Sequence, residues 1–413
     1  MRKITIIGGG QSGLMIAIGL LKQGFQVRVV QDRTAEQIAS GKVLSSQCMF
    51  HTAVQNERDI GLDFWSDKCP PVEGVNFMVP APDGSGDKAI NWTGRLDNNA
   101  YSVDQRVKIP VWLNEFTKLG GQLVIKQASI NDLEIYARED DLVLVASGKG
   151  EVGRLFAYDE DRSTFDKPMR ALALTYVTGM EPRPEHSAVS FNLIPGVGEY
   201  FVFPALTTTG PCHIMVFEGV PGGPMDCWQD VTTPEEHLAM SKSILETFLP
   251  WEAQRCKNIQ LTDDNGVLVG RFPPTIRKPV ATLPSGAKVL GVGDTVCLND
   301  PITGQGSNNA SKAATVYLQR ILARGEEAFD ESWMQQTFDE FWDYAQWVVT
   351  WTNMMLLPPP PFILEIMGTA CVEQRLAYRM ANSFDDPRDF FPWFADPEAA
   401  ASYLEELKNT DTV

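Results

Sequence analysis

Histidine is scarce, with four in 413 residues, and the seven cysteines (48, 69, 212, 227, 256, 297 and 371) form no Cys-x-x-Cys pair. That spacing excludes a zinc cluster or a disulfide framework and points to a reducing cytoplasm. No run of about 18 or more apolar residues occurs, so no membrane span is expected. The apolar start is broken by glycines and lacks a cleavage site, so no signal peptide is expected either. Positive charge is in deficit: 35 Lys and Arg against 53 Asp and Glu leave a net charge of −18. Such a surface disfavours nucleic acid or an anionic membrane and would suit a basic protein partner. No Ser-His-Asp or paired-carboxylate pattern stands out. What is present is 44% hydrophobic and 21% charged, the balance of a globular chain with room for two or three domains.

The clearest local signal is at the start. "KITII" (3–7) is a buried-type strand, and "GGGQSG" follows at once. A helical pattern then places Leu14, Ala17, Ile18 and Leu21 on one face, with Gly24 as the stop and "QVRVV" (26–30) as a second strand. This is a β-α-β unit. Residues 40–110 read as loop-rich, with Pro and Gly clusters at 70–85, and "DLVLVA" (141–146) reads as another buried parallel strand. From about 166 to 280 alternating runs such as "ALALTYV", "VSFNLI" and "EYFVFPAL" predict a largely antiparallel sheet, with a helix at 234–248. "AKVLGVGD" (287–294) returns to the style of the start. Beyond about 326 the chain reads as helical, broken by "PPPP" at 358–361, and "NTDTV" as a frayed end.

Gly8-x-Gly10-x-x-Gly13 sits between strand and helix. Its glycines serve a tight turn, close approach of backbone to a pyrophosphate, and helix–strand packing, while the helix N-terminus offers Gln11 and Ser12 N–H groups to the anion. The acidic residue expected at the end of the second strand is Gln31, followed by Asp32-Arg33, so a ribose hydroxyl would meet an uncharged partner. "GVGDTVCLNDPITGQGSNNA" (291–310) is the second, longer motif. It resembles the Gly-Asp motif of FAD-dependent monooxygenases related to p-hydroxybenzoate hydroxylase. That resemblance implies that Gly293-Asp294 binds the FAD ribityl chain. It also implies that the turn through Pro301, Thr303, Gly304, Gln305, Gly306, Ser307 and Asn308 passes the isoalloxazine ring, where a helix N-terminus would stabilise negative charge.

A third stretch, "ASGKGEVGRLF" (146–156), carries Ser147-Gly148 where single-component hydroxylases usually have Asp-Gly. With only one dinucleotide fingerprint in the chain, electrons are expected to arrive as reduced FAD made by a separate protein. The sequence is similar to the oxygenase component of two-component styrene/indole monooxygenases. The resemblance rests on "TIIGGGQSGL", "DRT", "SVDQR" (102–106), "ASGK" (146–149), "FDKPMRAL" (165–172), the Gly-Asp motif and "WTN" (351–353).

The resemblance implies an α/β fold: a Rossmann-like FAD-binding domain of the glutathione reductase type with an inserted, mostly antiparallel β-sheet substrate domain and C-terminal helices. The expected boundaries are 1–165 plus 281–326 for FAD, with substrate-side loops around 66–110. The substrate sheet is expected at 166–280 and the helical region at 327–413. It further implies an NADH-dependent flavin reductase as partner, a homodimer, and epoxidation of an aromatic-conjugated double bond by a flavin C(4a)-hydroperoxide with no acid–base residue. Lys42 and Arg106 join the FAD candidates, though Lys42 fits a solvated lysine equally well. His51 is read as structural.

Styrene-preferring members carry Asn-x-Val-x-His after the second strand. Here Ser45, Gln47 and Met49, with Val72, Val75 and Ala100, are similar to the indole branch. Valine, methionine and alanine would line a slot for a flat bicyclic ring, and Ser45 or Gln47 could accept from the indole N–H. Phe203, with the Thr207–Thr209 run, is expected on the substrate side of the sheet. Indole is the expected substrate, styrene the second. Flavin-dependent halogenases, which also take reduced flavin, are disfavoured because no Trp-x-Trp-x-Ile-Pro segment occurs. A single-component NAD(P)H-dependent hydroxylase is a further rival. So is a non-catalytic FAD-fold escort protein, which the intact Gly-Asp motif disfavours.

Overall fold

The computed structural model describes residues 2–148 and 150–409. Lys149, the last residue of "ASGK", and residues 410–413, most of the "NTDTV" end, lie outside them. The strands are β1 (Lys3–Ile7), β2 (Gln26–Gln31), β3 (Pro71–Pro80), β4 (Lys88–Tyr101), β5 (Gln122–Ile125), β6 (Leu142–Val145), β7 (Ala171–Thr178), β8 (Ala188–Ile194), β9 (Gly198–Thr207) and β10 (Gly210–Gly219). After them come β11 (Gln260–Leu261), β12 (Val267–Gly270), β13 (Thr275–Ile276), β14 (Val280–Thr282), β15 (Lys288–Gly291) and β16 (Cys297–Leu298).

The first sheet runs β14-β15-β6-β1-β2-β5 and is parallel except at β14. Its central strands are buried on both faces, which is why "KITII" and "LVLV" read as continuous apolar runs. Helix Gln11–Lys22 follows β1 on this sheet and packs against helix Gly306–Ala323.

The second sheet runs β11-β7-β10-β9-β8-β3-β4, with β12 also on β7. Side chains alternate across a strand. Phe201 and Phe203 of β9 join Ile214 and Val216 of β10 in one core with Trp351, Ile363 and Trp393 of the C-terminal helices. Tyr200, Val202, Met215 and Phe217 point the other way, onto Ile244 and Leu245 of helix Pro234–Phe248. That helix begins with a Thr233 capping box and Pro234 in its first turn.

Two expectations change. Residues 71–80 and 88–101 are not loops: they form β3, parallel to β8, and β4, the edge strand of the second sheet. The reason is visible in β4, where Ile90, Trp92 and Gly94 point inward every second residue while the solvent face stays polar, as an edge strand does. The C-terminal helices are not a separate region either, since Trp351 to Leu407 share a core with the second sheet.

Candidate active site

Three sequence-remote turns meet at the carboxyl end of the first sheet. Gly8 has φ of +109°, and a Cβ on it would stand 2.8 Å from the Ala146 carbonyl; one on Gly13 would stand 2.0 Å from the Gly8 carbonyl oxygen. Gly10 is different, because its Cβ would meet nothing within 4 Å. The outer glycines therefore serve packing, while the middle one leaves the open face through which a pyrophosphate can reach the helix N-terminus. Gly148 packs with its Cβ position 3.0 Å from the Asp294 carbonyl oxygen, and Gly293, at φ +62°, packs on the Ser12 hydroxyl. Ser12 Oγ donates to the Ala310 carbonyl (3.2 Å), tying the first helix to the helix after the Gly-Asp motif. These features fit a dinucleotide such as FAD: a cradle that a Cβ would fill, an exposed Asp294, and a second helix start at Gly306-Ser307.

The remaining cofactor candidates divide. The Gln31 side-chain Oε1 accepts from the Gly9 N–H (2.9 Å), leaving its amide N–H2 as the group that can meet a ribose hydroxyl. Asp32, Arg33 and Lys42 lie at the surface, the first two paired at 3.6 Å. Arg106 is a structural clamp. Its N–H groups go to Asp104 (2.9 Å), Asp263 (2.8 and 3.0 Å), Thr207 Oγ1 (3.1 Å) and the Gly41 carbonyl (3.3 Å), which uses all five guanidinium donors. Asn308 also faces the protein: Oδ1 accepts from Phe50 N–H, and Nδ2 donates to the Cys48 and Gly304 carbonyls. Gln305 donates to the Phe384 carbonyl (3.0 Å), and Gln11 donates to Glu57 (3.0 Å). The Arg106 side chain thus has no donor left for FAD, and those of Gln11, Gln305 and Asn308 are committed to the protein in whole or part, because their partners come from segments far away in sequence.

Beside the turn Pro301–Thr303 lies a cavity of about 760 Å³. Its wall is apolar and aromatic, with Phe77, Trp92, Phe191, Phe201, Trp351 and Phe384 among the lining residues. Phe191 and Phe201 are register partners on β8 and β9, their rings 4.7 Å apart. Asp300 caps the turn by accepting from Ile302 N–H (3.1 Å), and Ile302 and Thr303 reach the cavity. The Thr303 hydroxyl is bonded to Thr352 of "WTN" (2.7 Å). Arg170 and Glu199 add a buried polar pair on the wall, joined at 2.6 and 2.9 Å.

Of the pocket candidates, Val75 and Thr303 line this cavity. Val72 and Ala100 are cross-strand partners, fully buried, and with Phe203 they share one apolar cluster with Val75 without lining the cavity. Met49 belongs elsewhere: its sulfur accepts from Lys108 Nζ (3.1 Å), which is ion-paired with Glu57 at 2.6 Å beneath the first helix. Pro301 begins the turn without lining the cavity. Ser45 donates to the Gln47 side-chain carbonyl oxygen (3.0 Å), and the buried Gln47 amide also lies against the Tyr176 hydroxyl. The acceptor expected for an indole N–H is therefore already engaged. Sequence reasoning missed the aromatics of "VSFNLI" and "EYFVFPAL", whose alternation marked them as core rather than as cavity wall, and Trp92 of "NWTG", which fell in a stretch read as loop.

A dinucleotide cradle opening beside an apolar cavity, together with the relatives below, defines a flavin-dependent monooxygenase. Residues 148–255 match the styrene monooxygenase A putative substrate binding domain. Over 420 aligned residues the chain is 26% identical to styrene monooxygenase StyA of Pseudomonas fluorescens and to StyA of a second Pseudomonas, covering 99% of each chain. These matches make the chain similar to styrene monooxygenase StyA along its length. The matched segment starts earlier and ends earlier than the 166–280 read from the sequence.

The fold is also similar to that of the flavin-dependent brominase Bmp2 (TM-score 0.64, 14% identity, 98% of this chain and 99% of that one). The flavin-dependent halogenase CmlS (0.62, 15%, 96% and 71%) and Pseudomonas aeruginosa PqsL in complex with 2-aminobenzoylacetate (0.60, 14%, 91% and 98%) share it too. Among the described residues no helix is long and apolar enough to cross a membrane.

Proposed function

We propose that the chain is the oxygenase component of a two-component system. It receives reduced FAD from a separate NADH-dependent flavin reductase and, with O2, epoxidises indole, with styrene and related aryl alkenes as further substrates. The observation that carries this reading is the aromatic-lined cavity set against the turn 301–304. When bound in its reduced form, FAD supplies the activated oxygen.

In this reading the chain's own residues bind, orient and keep water out. The first-helix N–H groups beside Gly10 hold the pyrophosphate, the Gln31 amide a ribose hydroxyl, and Asp294 the ribityl chain. The helix start at Gly306 and Ser307 would stabilise negative charge on reduced flavin. Phe191, Phe201 and Ile302 present a dry wall to a flat ring, and positioning of the alkene is the main catalytic contribution. Ser45 and Gln47 are not among the residues that line the cavity; an indole N–H that reached them would be accepted by the Gln47 oxygen once the Ser45 hydroxyl reorients. A cavity of this size is in the range that holds drug-sized ligands, so substituted indoles fall within the substrate class. External supply of electrons is supported by the single Gly8–Gly13 fingerprint and the uncharged Ser147-Gly148.

The test separates the electron sources. Purified protein is given anaerobically reduced FAD, then aerated buffer and indole; a parallel sample receives oxidised FAD, NADH and indole. Indigo or trapped indoxyl in the first sample alone is the expected result. Product in the second sample would refute external supply.

A further inference from the structure

Glu199 and Glu218 are register partners on β9 and β10. Their side chains leave one face of the sheet from directly opposed positions, where like charges repel. Asp300, the cap of the turn beside the flavin motif, is the hydrogen-bond neighbour of Glu218. Glu218 is 0% exposed, Asp300 1%, Glu199 6% and Arg170 6%. One guanidinium therefore serves three buried carboxyl groups, and its geometry commits it to one of them. Arg170 grips Glu199 at 2.6 and 2.9 Å and spends further N–H bonds on the Met169 and Leu356 carbonyls.

Glu218 and Asp300 remain. Neither oxygen of Glu218 meets a hydrogen-bond donor while both groups are ionised. Two adjacent carboxylates out of water, with the nearest cation already engaged, cannot both keep their charge. One proton resolves the conflict, since it removes a charge and creates the missing donor.

We propose that Glu218 is a positioning residue: at neutral pH it holds a proton and donates it to Asp300, and this O–H···O bond fixes the Pro301–Thr303 turn between the substrate sheet and the flavin. The direction of the proton follows from the surroundings. Burial, with the charges of Asp300 and Glu199, pushes the Glu218 carboxyl well above the usual range against the pull of Arg170. Burial raises Asp300 too, but the bond from Glu218, the Ile302 N–H and Arg170 draw it back. Arg170 just before β7, Glu199 on β9 and Asp300 on the turn are the charged groups that face Glu218. In alkaline solution the proton leaves, two carboxylates confront each other, and the turn loosens. The shared proton is independent of what the protein binds; its bearing on flavin rests on the function proposed above.

Infrared spectroscopy of the protein without flavin tests the proton directly. The wild type at neutral pH is expected to show a carboxylic acid C=O band that Glu218→Gln abolishes and Asp300→Asn shifts. Absence of such a band in the wild type, which needs no variant to fold, would overturn the proposal. Affinity for oxidised FAD, read from flavin fluorescence between about pH 6 and pH 10, tests the positioning role. The wild type should bind more weakly as pH rises, while Glu218→Gln, whose amide N–H replaces the acid O–H, stays flat. Equal slopes would overturn the role. Loss of FAD binding at every pH in the wild type would instead overturn the flavin reading and leave the shared proton standing.

Discussion

Gly10 and Gly13 are three residues apart, yet adding one methyl to each should fail in different ways. At Gly13 the new Cβ lands 2.0 Å from the Gly8 carbonyl oxygen and 3.3 Å from Ile6 Cγ2. The first clash is with backbone, so relief to 3.0 Å takes a displacement of about 1 Å of the helix start from β1. Overpacking of this kind costs about 1–3 kcal/mol. Alanine's advantage over glycine inside a helix returns only about 1 kcal/mol, so the clash prevails. Gly13→Ala should therefore lower stability without flavin and also weaken FAD, because the N–H groups that meet the pyrophosphate move with the helix.

At Gly10 the Cβ meets nothing within 4 Å, and φ −87°, ψ −167° suits alanine. Gly10→Ala should leave unliganded stability within about 0.5 kcal/mol of wild type, as for a substitution away from any packing feature. Its methyl would stand where the pyrophosphate must approach. A penalty of about 1–3 kcal/mol there is about 5- to 150-fold in Kd. Thermal unfolding without flavin and fluorescence titration with FAD separate the two quantities. Unchanged FAD affinity in Gly10→Ala would refute the placement of the pyrophosphate at this loop.

Other expectations follow from single contacts. Arg170→Met leaves Glu199 buried with no cation and should cost about 3–5 kcal/mol in urea unfolding; a loss under about 1 kcal/mol would mean that Glu199 takes up a proton at no cost. Thr352→Val removes the hydroxyl bonded to Thr303 at 2.7 Å in a buried site, a loss of about 1–3 kcal/mol, measured by the same unfolding and accompanied by weaker FAD binding. Ser45→Ala and Gln47→Ala should weaken indole turnover more than styrene turnover. Equal losses on both substrates would remove the hydrogen-bond argument. Glu218 has its carboxyl raised by burial, so the stability it contributes is whole below the unfolded value near 4.5 and is lost as pH rises through the folded one. The melting temperature of the wild type should accordingly fall relative to Glu218→Gln in alkaline buffer.

What the sequence by itself determined is what short-range physics controls. A short continuous apolar run, three glycines and a three- to four-residue apolar spacing defined β1, the turn and the first helix, because a strand buried on both faces is apolar throughout and a helix turns once in about 3.6 residues. The same rule placed helix 234–248, with Thr233 and Pro234 at its start. The long Gly-Asp motif announced a flavin site because its glycines and aspartates act through local backbone geometry. Tertiary structure decided the rest. β3 joins β8, more than a hundred residues away, and nothing local in "PVEGVNFMVP" names that neighbour. Arg106 and Asn308 look like ligand-binding residues in their motifs, yet distant partners, Asp263 for one and Phe50 and Cys48 for the other, take up their hydrogen bonds. The cavity is walled by segments from β3, β8, β9 and the C-terminal helices, and the confrontation of Glu218 with Glu199 and Asp300 exists only once strand register and the turn bring them together. Periodicity says that a side chain points inward. Which other side chains it meets there depends on non-local pairing, settled by burial and register across the whole chain.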